Sequence, residues 1–150
     1  MKKIAIAVLL LISQFAWAQS KVMKDLSEEY PDATTFMIYH SNLTMLNQND
    51  DPELAELAAA IDKIKVLTIA DFTKEAKNRL IKKLESQGFE TLMIIKHKGS
   101  DVLVYIDGDE DDVDGYFLLV QSEENTMAID VRGSPTANQI GKIIDTVKNR

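Results

Sequence analysis

Alternation between apolar and polar positions is strongest from residue 89 to residue 131. Four short segments there follow the two-residue period of a β-strand, and tight turns separate them: FETLMIIKHK, DVLVYID, YFLLVQSEE and TMAIDV. Gly99, between the first two, can supply the positive φ that a hairpin turn requires. The pattern predicts a four-stranded meander at the centre of the fold.

The first and last meander strands differ in their patterns. The first is apolar on both faces across residues 92–95, which predicts a central strand covered on both sides. The last alternates cleanly, which predicts one solvated face and a position nearer an edge of the sheet. Its expected inward residues are Met127, Ile129 and Val131, and its expected outward residues are Thr126, Ala128 and Asp130. If the meander carries function, we expect it on that outward side and on the following helix.

Helices and two further strands are predicted before the meander. A helix ends at Pro31, a strand covers residues 34–40, and Ser41 caps a short helical turn with Leu43, Met45 and Leu46. Asp51 and Pro52 then open another helix, a cap followed by proline at the first helical position. A strand at residues 63–70 and a helix capped by Asp71 or Thr73 lead to Gly88, which suits the left-handed end of a helix.

The final helix is predicted to begin with Ser134 as its cap and Pro135 at its first position. Its apolar stripe consists of Ile140, Ile143, Ile144 and Val147, and we expect it to close one face of the sheet. The fold class is therefore α+β, with a mixed or mostly antiparallel sheet whose C-terminal four-stranded meander packs against helices. The order of the first two strands is left open.

The N-terminus has the three parts of a secretory signal peptide. Lys2 and Lys3 precede the apolar run IAIAVLLLI, and Ala16 and Ala18 stand where a signal peptidase requires small residues. We expect residues 1–18 to be a signal peptide and residues 19–150 to be a single exported domain, periplasmic or secreted. No later segment is apolar over the ~18 residues of a membrane helix.

Composition excludes several classes of function. The absence of cysteine excludes thiolate catalysis, cysteine-based zinc sites and a lipid anchor on a cysteine after the cleavage site. Removal of the two signal-peptide lysines leaves 15 basic residues against 24 acidic ones and lowers the formal charge from −7 to −9. Nucleic acid is therefore not expected as a partner, because its phosphates would be repelled.

The acidic segment 107–114 is the first candidate for chemistry. Asp107, Asp109 and Asp111 match the first three ligand positions of a calcium loop, but Asp112 replaces the required glycine and Leu118 the final glutamate. We therefore retain these three aspartates only as calcium candidates. The alternative is a solvated charge run, which also keeps neighbouring strands from pairing with another molecule.

A hydrolase with a dispersed site is the remaining catalytic possibility. It would use His40 and His97, the only two histidines, with Asp71 as the carboxylate. Their spacing matches no metal or nucleophile motif, and the sequence has no G-x-S-x-G and no glycine-rich phosphate loop. The methionines Met23, Met37, Met45, Met93 and Met127 are predicted to face the core. No catalytic residue, cofactor or resident metal is therefore predicted.

The chain resembles an uncharacterised family of small exported Bacteroidetes proteins, domain of unknown function 4252. The resemblance rests on the signal peptide and on FMIYHSNLTMLN, KIKVLTI, YIDGDEDDVDGYFLLVQSEE and MAIDVRGSPTANQIGKI. It covers nearly all of the chain after residue 18. The resemblance implies an exported protein and, because such genes often lie near sigma and anti-sigma regulators, a role at the envelope.

Three hypotheses about function follow. The first is a non-enzymatic domain that binds an unknown protein or ligand of the cell envelope. The second is a calcium-responsive module that uses residues 107–114, and the third is the dispersed hydrolase. The sequence does not identify the partner or the oligomeric state.

Overall fold

The computed structural model of the protein describes residues 20–109 and 111–148, with side chains up to residue 145. The predicted signal peptide and Glu110 lie outside this description, as does the side chain of Val147, which belongs to the predicted apolar stripe of the last helix. Five helices and six strands occur in the described residues. They are α1 (Lys21–Glu29), β1 (Thr34–Tyr39), α2 (His40–Leu46), α3 (Pro52–Ala60), β2 (Ile61–Ile69), α4 (Lys74–Ser86), β3 (Phe89–His97), β4 (Ser100–Asp109), β5 (Asp112–Ser122), β6 (Thr126–Gly133) and α5 (Ala137–Lys148).

The strands form one antiparallel sheet in the order β1-β2-β6-β5-β4-β3. The meander β3–β6 is present, and the expected α+β class with a mostly antiparallel sheet is confirmed. The two earlier strands extend the sheet beyond β6, because β2 pairs with β6 and β1 pairs with β2. Helix α4 therefore carries the chain across the sheet, from β2 to β3 at the far edge.

This order contradicts the predicted places of β3 and β6. β3 is an edge strand, and its middle is partly exposed, as at Met93 and Ile94. β6 lies between β2 and β5, and its expected outward residues Thr126, Ala128 and Asp130 are buried. Pairing with β2 puts β6 at the centre, where helices cover both faces, so its outward side cannot be a binding surface.

Helices pack on both faces of the sheet. On one face, α1 and α4 contribute Val22, Met23, Leu26, Leu80 and Leu84 to a core that includes Phe117 and Leu119. On the other face, α2, α3 and α5 contribute Leu43, Ala58, Ile140 and Ile144 to a core that includes Leu118 and Ile129. The expected closure of one face by α5 is confirmed.

Local signals correctly mark the starts of α3 and α4 and the end of α4. Asp51 caps α3 by accepting from the Glu53 amide, and Thr73 caps α4 by accepting from the Ala76 amide. Gly88 ends α4 at φ +85°, a conformation that glycine adopts without strain, and it leads directly to buried Phe89.

Two predicted helix starts are wrong. α2 begins at His40 without a side-chain cap, so Ser41 lies inside the helix. α5 begins at Ala137, because Thr136 and Gln139 form a reciprocal capping box: the Gln139 amide donates to Thr136 Oγ1 at 3.2 Å, and the Thr136 amide donates to Gln139 Oε1 at 2.9 Å. Pro135, which was expected to begin the helix, is buried before it, and its carbonyl accepts from the Tyr116 hydroxyl at 2.8 Å.

Candidate functional site

The edge of the sheet at β1 is unusually apolar for a solvent-facing strand. Phe36 is 60% exposed and Tyr39 48% exposed, and the whole strand, TTFMIY, contains no charged residue and no proline. Its register with β2 is continuous from Thr34 to Tyr39. An edge of this kind offers unpaired backbone N–H and C=O groups to another strand.

Helix α2 extends this apolar surface directly from the end of β1. Leu43 is buried in the same core as Ile64, whereas Met45 is 74% exposed and Leu46 is 62% exposed. The helix has only seven residues, so one apolar residue anchors it and the others remain in solvent. We define the β1 edge as strand β1, which includes the exposed Phe36 and Tyr39, together with Met45 and Leu46 of α2.

The opposite edge, β3, carries features that discourage pairing. Its register with β4 is interrupted between Thr91 and Met93, and Glu90 and Lys96 project charge along the strand. A bulge twists an edge strand, and charged side chains oppose the approach of another sheet. β3 is therefore protected, although Ile94 is 56% exposed.

An open groove of about 590 Å³ adjoins the Thr34 end of β1. Residues 29–34, 68–71 and 124–125 line it, at the end of the sheet where β1 begins and β2 ends. Its lining includes four carboxylates, and Glu29 pairs with Arg79 at 3.0 Å. The other three, Asp32, Asp71 and Glu124, form no ion pair with any residue that the structure describes. We call this feature the acidic groove.

An aromatic side chain supports one wall of the acidic groove. Tyr30 lines the groove and contacts Phe72, with ring centroids 5.9 Å apart. Burial, followed by the neighbouring Glu29 carboxylate, raises the pKa of Tyr30, so its hydroxyl stays protonated at neutral pH. Carboxylates beside an aromatic ring are favourable surroundings for a cationic group.

A second polar cluster lies inside the molecule, at the centre of the sheet. Asp130 is 1% exposed and accepts a hydrogen bond from the Ser20 amide at 3.0 Å. Arg132 forms ion pairs with Asp130 at 3.1 Å and with Asp107 at 2.8 Å. Gly115 allows this arrangement, because a Cβ there would come within 2.5 Å of the Arg132 guanidinium.

Asp130 is the most deeply buried side chain of the three that form these ion pairs. Burial raises the pKa of Asp130, although Arg132 and the Ser20 hydrogen bond act to lower it. Its Oδ1 is the atom that lies 3.1 Å from Arg132 Nη2, an ion pair whose geometry is not that of a hydrogen bond. On the neighbouring strand, burial and then Lys63 lower the pKa of Lys65, which is opposite Asp130 in the register. The cluster joins β4, β6 and the residue that caps α1, with Asp130 buried and Asp107 and Arg132 partly exposed.

Similarity to known proteins identifies the family. The model of the family described as "Domain of unknown function (DUF4252)" matches residues 27–143, well over half of the chain. The chain belongs to this family. No curated protein matches the sequence.

The acidic segment of this DUF4252 domain is the tip of the β4–β5 hairpin. Asp107, the first calcium candidate, is paired with Arg132, whereas Asp109 and Asp111 are exposed at the tip. Residues 20–109 and 111–148 contain no group of three or more acidic or histidine side chains arranged to hold a metal ion. The three aspartates are thus not brought together as a ligand set.

The residues of the predicted dispersed hydrolase lie far apart in the DUF4252 fold. His40 follows β1 at the end of the sheet opposite Asp71, a strand length of about 20 Å away. His97 ends β3, four strand spacings from β2, or about 19 Å. His40 Nδ1 donates to the carbonyl of Ala58 at 2.8 Å, which ties α2 to the end of α3.

The prediction that the methionines face the core is wrong for two of them. Met23 is fully buried and Met37 and Met127 are partly buried, but Met45 and Met93 are exposed. Met45 belongs to the β1 edge, which sequence reasoning missed as a site. The available signal was the uncharged run at residues 33–39, which lacks the charges expected of an edge strand.

No helix among the described residues is both long enough and apolar enough to cross a membrane.

Proposed function

We propose that this DUF4252 domain is a non-enzymatic interaction module of the cell envelope that binds an extended segment of another protein as an added strand on β1. The observation that carries the proposal is the contrast between an apolar, charge-free edge at β1 and a bulged, charged edge at β3. An extended segment could hydrogen-bond along β1, with alternate side chains against the face that carries Phe36.

The chemistry of pairing supports this function. A six-residue edge strand leaves about three N–H and three C=O groups pointing outward, which a partner strand can satisfy without rearrangement of the fold. Phe36 lies opposite Val66 in the register, on the face where α2 packs. A partner side chain on that face would be placed beside exposed aromatic surface, which supplies binding energy.

Export is part of the same proposal and rests on the signal-peptide pattern of residues 1–18. Expression of the whole chain followed by mass measurement of the periplasmic or secreted product tests it. We expect a product that begins at Gln19, and we expect Ala18→Asp to retain the leader. A product of full length in the cytoplasm would contradict export.

Interaction through β1 can be tested with a photo-crosslinking residue in the native host. Benzoylphenylalanine at Phe36 is expected to form an adduct with another protein, whereas the same residue at Ile94 forms none. The two positions are matched, because each is an exposed apolar residue in an edge strand. Equal adducts at both positions, or none from Phe36, would contradict the proposal.

A further inference from the structure

We infer that the segment bound at the β1 edge carries lysine or arginine directly after its apolar stretch, and that these basic side chains enter the acidic groove. The inference rests on the proposed addition of a strand to β1. It goes further by specifying the chemistry of the partner and the direction in which it binds.

The position of the acidic groove determines where charge must lie on the partner. The groove adjoins Thr34, the first residue of β1. All pairings in the sheet are antiparallel, and we take the added strand to continue this pattern. The C-terminal end of such a strand leaves β1 at Thr34. Residues that follow the paired stretch therefore reach the groove.

The charge of the groove favours a basic side chain over a metal ion. Asp32, Asp71 and Glu124 line it without a described ion-pair partner. The described residues include no group of ligands that could hold a metal ion. Lysine and arginine do not need a close shell of oxygens, and the ring of Tyr30 offers them a cation–π contact.

A second copy of this chain fits the groove poorly. If two copies paired antiparallel through β1, the residues after Tyr39 of one copy would approach the groove of the other. The sequence contains no lysine or arginine from residue 34 to residue 62. Both copies are also acidic, with a formal charge of −7 for the whole chain. Charge complementarity thus points to a different, basic partner.

Selection from random peptides displayed on phage tests the inference, with peptides long enough to cover β1 and the groove. The residue 19–150 chain is the target. The acid-neutralised variant carries Asp32→Asn, Asp71→Asn and Glu124→Gln. Its matched control carries Asp111→Asn, Asp112→Asn and Asp114→Asn, an equal change in charge on exposed residues of the β4–β5 hairpin.

We expect the selected peptides to have apolar alternation followed by lysine or arginine. Their affinity should fall about fivefold to tenfold in the acid-neutralised variant, while the control variant loses less than about twofold. Binding should also weaken with added salt. Peptides that require β1 but show no basic enrichment, or that bind the acid-neutralised variant equally well, would overturn the inference and leave strand addition standing.

Two further outcomes separate this inference from the proposed function. Peptides whose binding is unaffected by Phe36→Lys, or the absence of any selected peptide, would overturn both. If the residue 19–150 chain forms dimers that Phe36→Lys dissociates, a second copy occupies the β1 edge. That result would overturn the inference that the partner is a basic segment of another protein. Light scattering coupled to size-exclusion chromatography measures the oligomeric state of both chains.

Discussion

The two edges of the sheet solve the same physical problem differently. Both present unpaired backbone and exposed apolar side chains, represented by Phe36 on β1 and Ile94 on β3. β3 interrupts its register and carries Glu90 and Lys96, whereas β1 keeps a continuous register and has no charge. Exposure of apolar residues alone therefore does not distinguish a binding edge from a protected one. The difference lies in what would oppose a second strand.

If Phe36 and Ile94 are surface residues of two sheet edges, each side chain should contribute little to the free energy of unfolding. Leu118 is fully buried at the centre of the sheet, so Leu118→Ala should lower the free energy of unfolding by about 2–5 kcal/mol. Phe36→Ala and Ile94→Ala should each cost less than about 1 kcal/mol, because their side chains are more than half exposed. Urea denaturation measures all three. A cost at Phe36 close to that at Leu118 would mean that Phe36 serves the fold.

One substitution can give β1 a charged side chain of the kind that opposes strand pairing at β3. Phe36→Lys places a charge where a partner strand must pack, and it should weaken binding of a selected peptide about tenfold. Ile94→Lys makes the same chemical change on the other edge and should leave binding unaltered. Fluorescence anisotropy with the labelled peptide gives both affinities. A similar loss in the two variants would remove the distinction between the edges.

At the centre of the sheet, Asp130 should affect how stability depends on pH and should not affect peptide binding. Because burial raises the pKa of Asp130, the folded state takes up this proton more readily than the unfolded chain. Its contribution to stability therefore grows as the pH falls from the raised pKa of the folded state toward 3.8, the ordinary pKa of an aspartate. The contribution is lost as the pH rises through the raised pKa.

The stability of the original chain relative to Asp130→Asn should thus increase on acidification over that window. Urea denaturation at a series of pH values measures the difference, and the other carboxylates largely cancel in it. A flat difference would show that Asp130 titrates as it does in the unfolded chain. Peptide binding at β1 is expected to be indifferent to Asp130→Asn.

The smallest expected effect concerns calcium at the hairpin tip. Asp107 is occupied by Arg132, and Asp109 and Asp111 are exposed, so millimolar calcium should leave the melting temperature unchanged. A ligand that binds only the folded state must raise it. A rise that disappears in Asp109→Asn with Asp111→Asn would restore the calcium-responsive module.

Strand positions could be predicted from local sequence, but their order could not. Period-two alternation located β3 and β6, because it reports which side chains share a face. It does not report which strands lie beside them. The apolar residues 92–95 on both faces of β3 predict a central strand, yet the outer side of β3 pairs with no described strand. The chain reaches β3 through the long crossover that contains α4, which places β3 at the far edge of the sheet. Local alternation does not predict where such a crossover ends.

Asp130 illustrates why the centre resembled an edge in the sequence. A carboxylate at an alternate position normally indicates solvent, but this one is compensated by the Ser20 amide and by Arg132. Ser20 is 110 residues away in sequence, so the compensation is invisible without the fold. The β1 edge was likewise missed, because an uncharged strand looks like a core strand until its neighbours are known.

Hydrogen exchange of backbone amides tests the contrast between the edges most directly, since strand addition acts on the backbone. The residue 19–150 chain would be compared with and without a selected peptide. We expect exchange to slow in Thr34–Tyr39 and to remain unchanged in Phe89–His97. Slower exchange in β3, or bound peptide without protection of β1, would contradict the account.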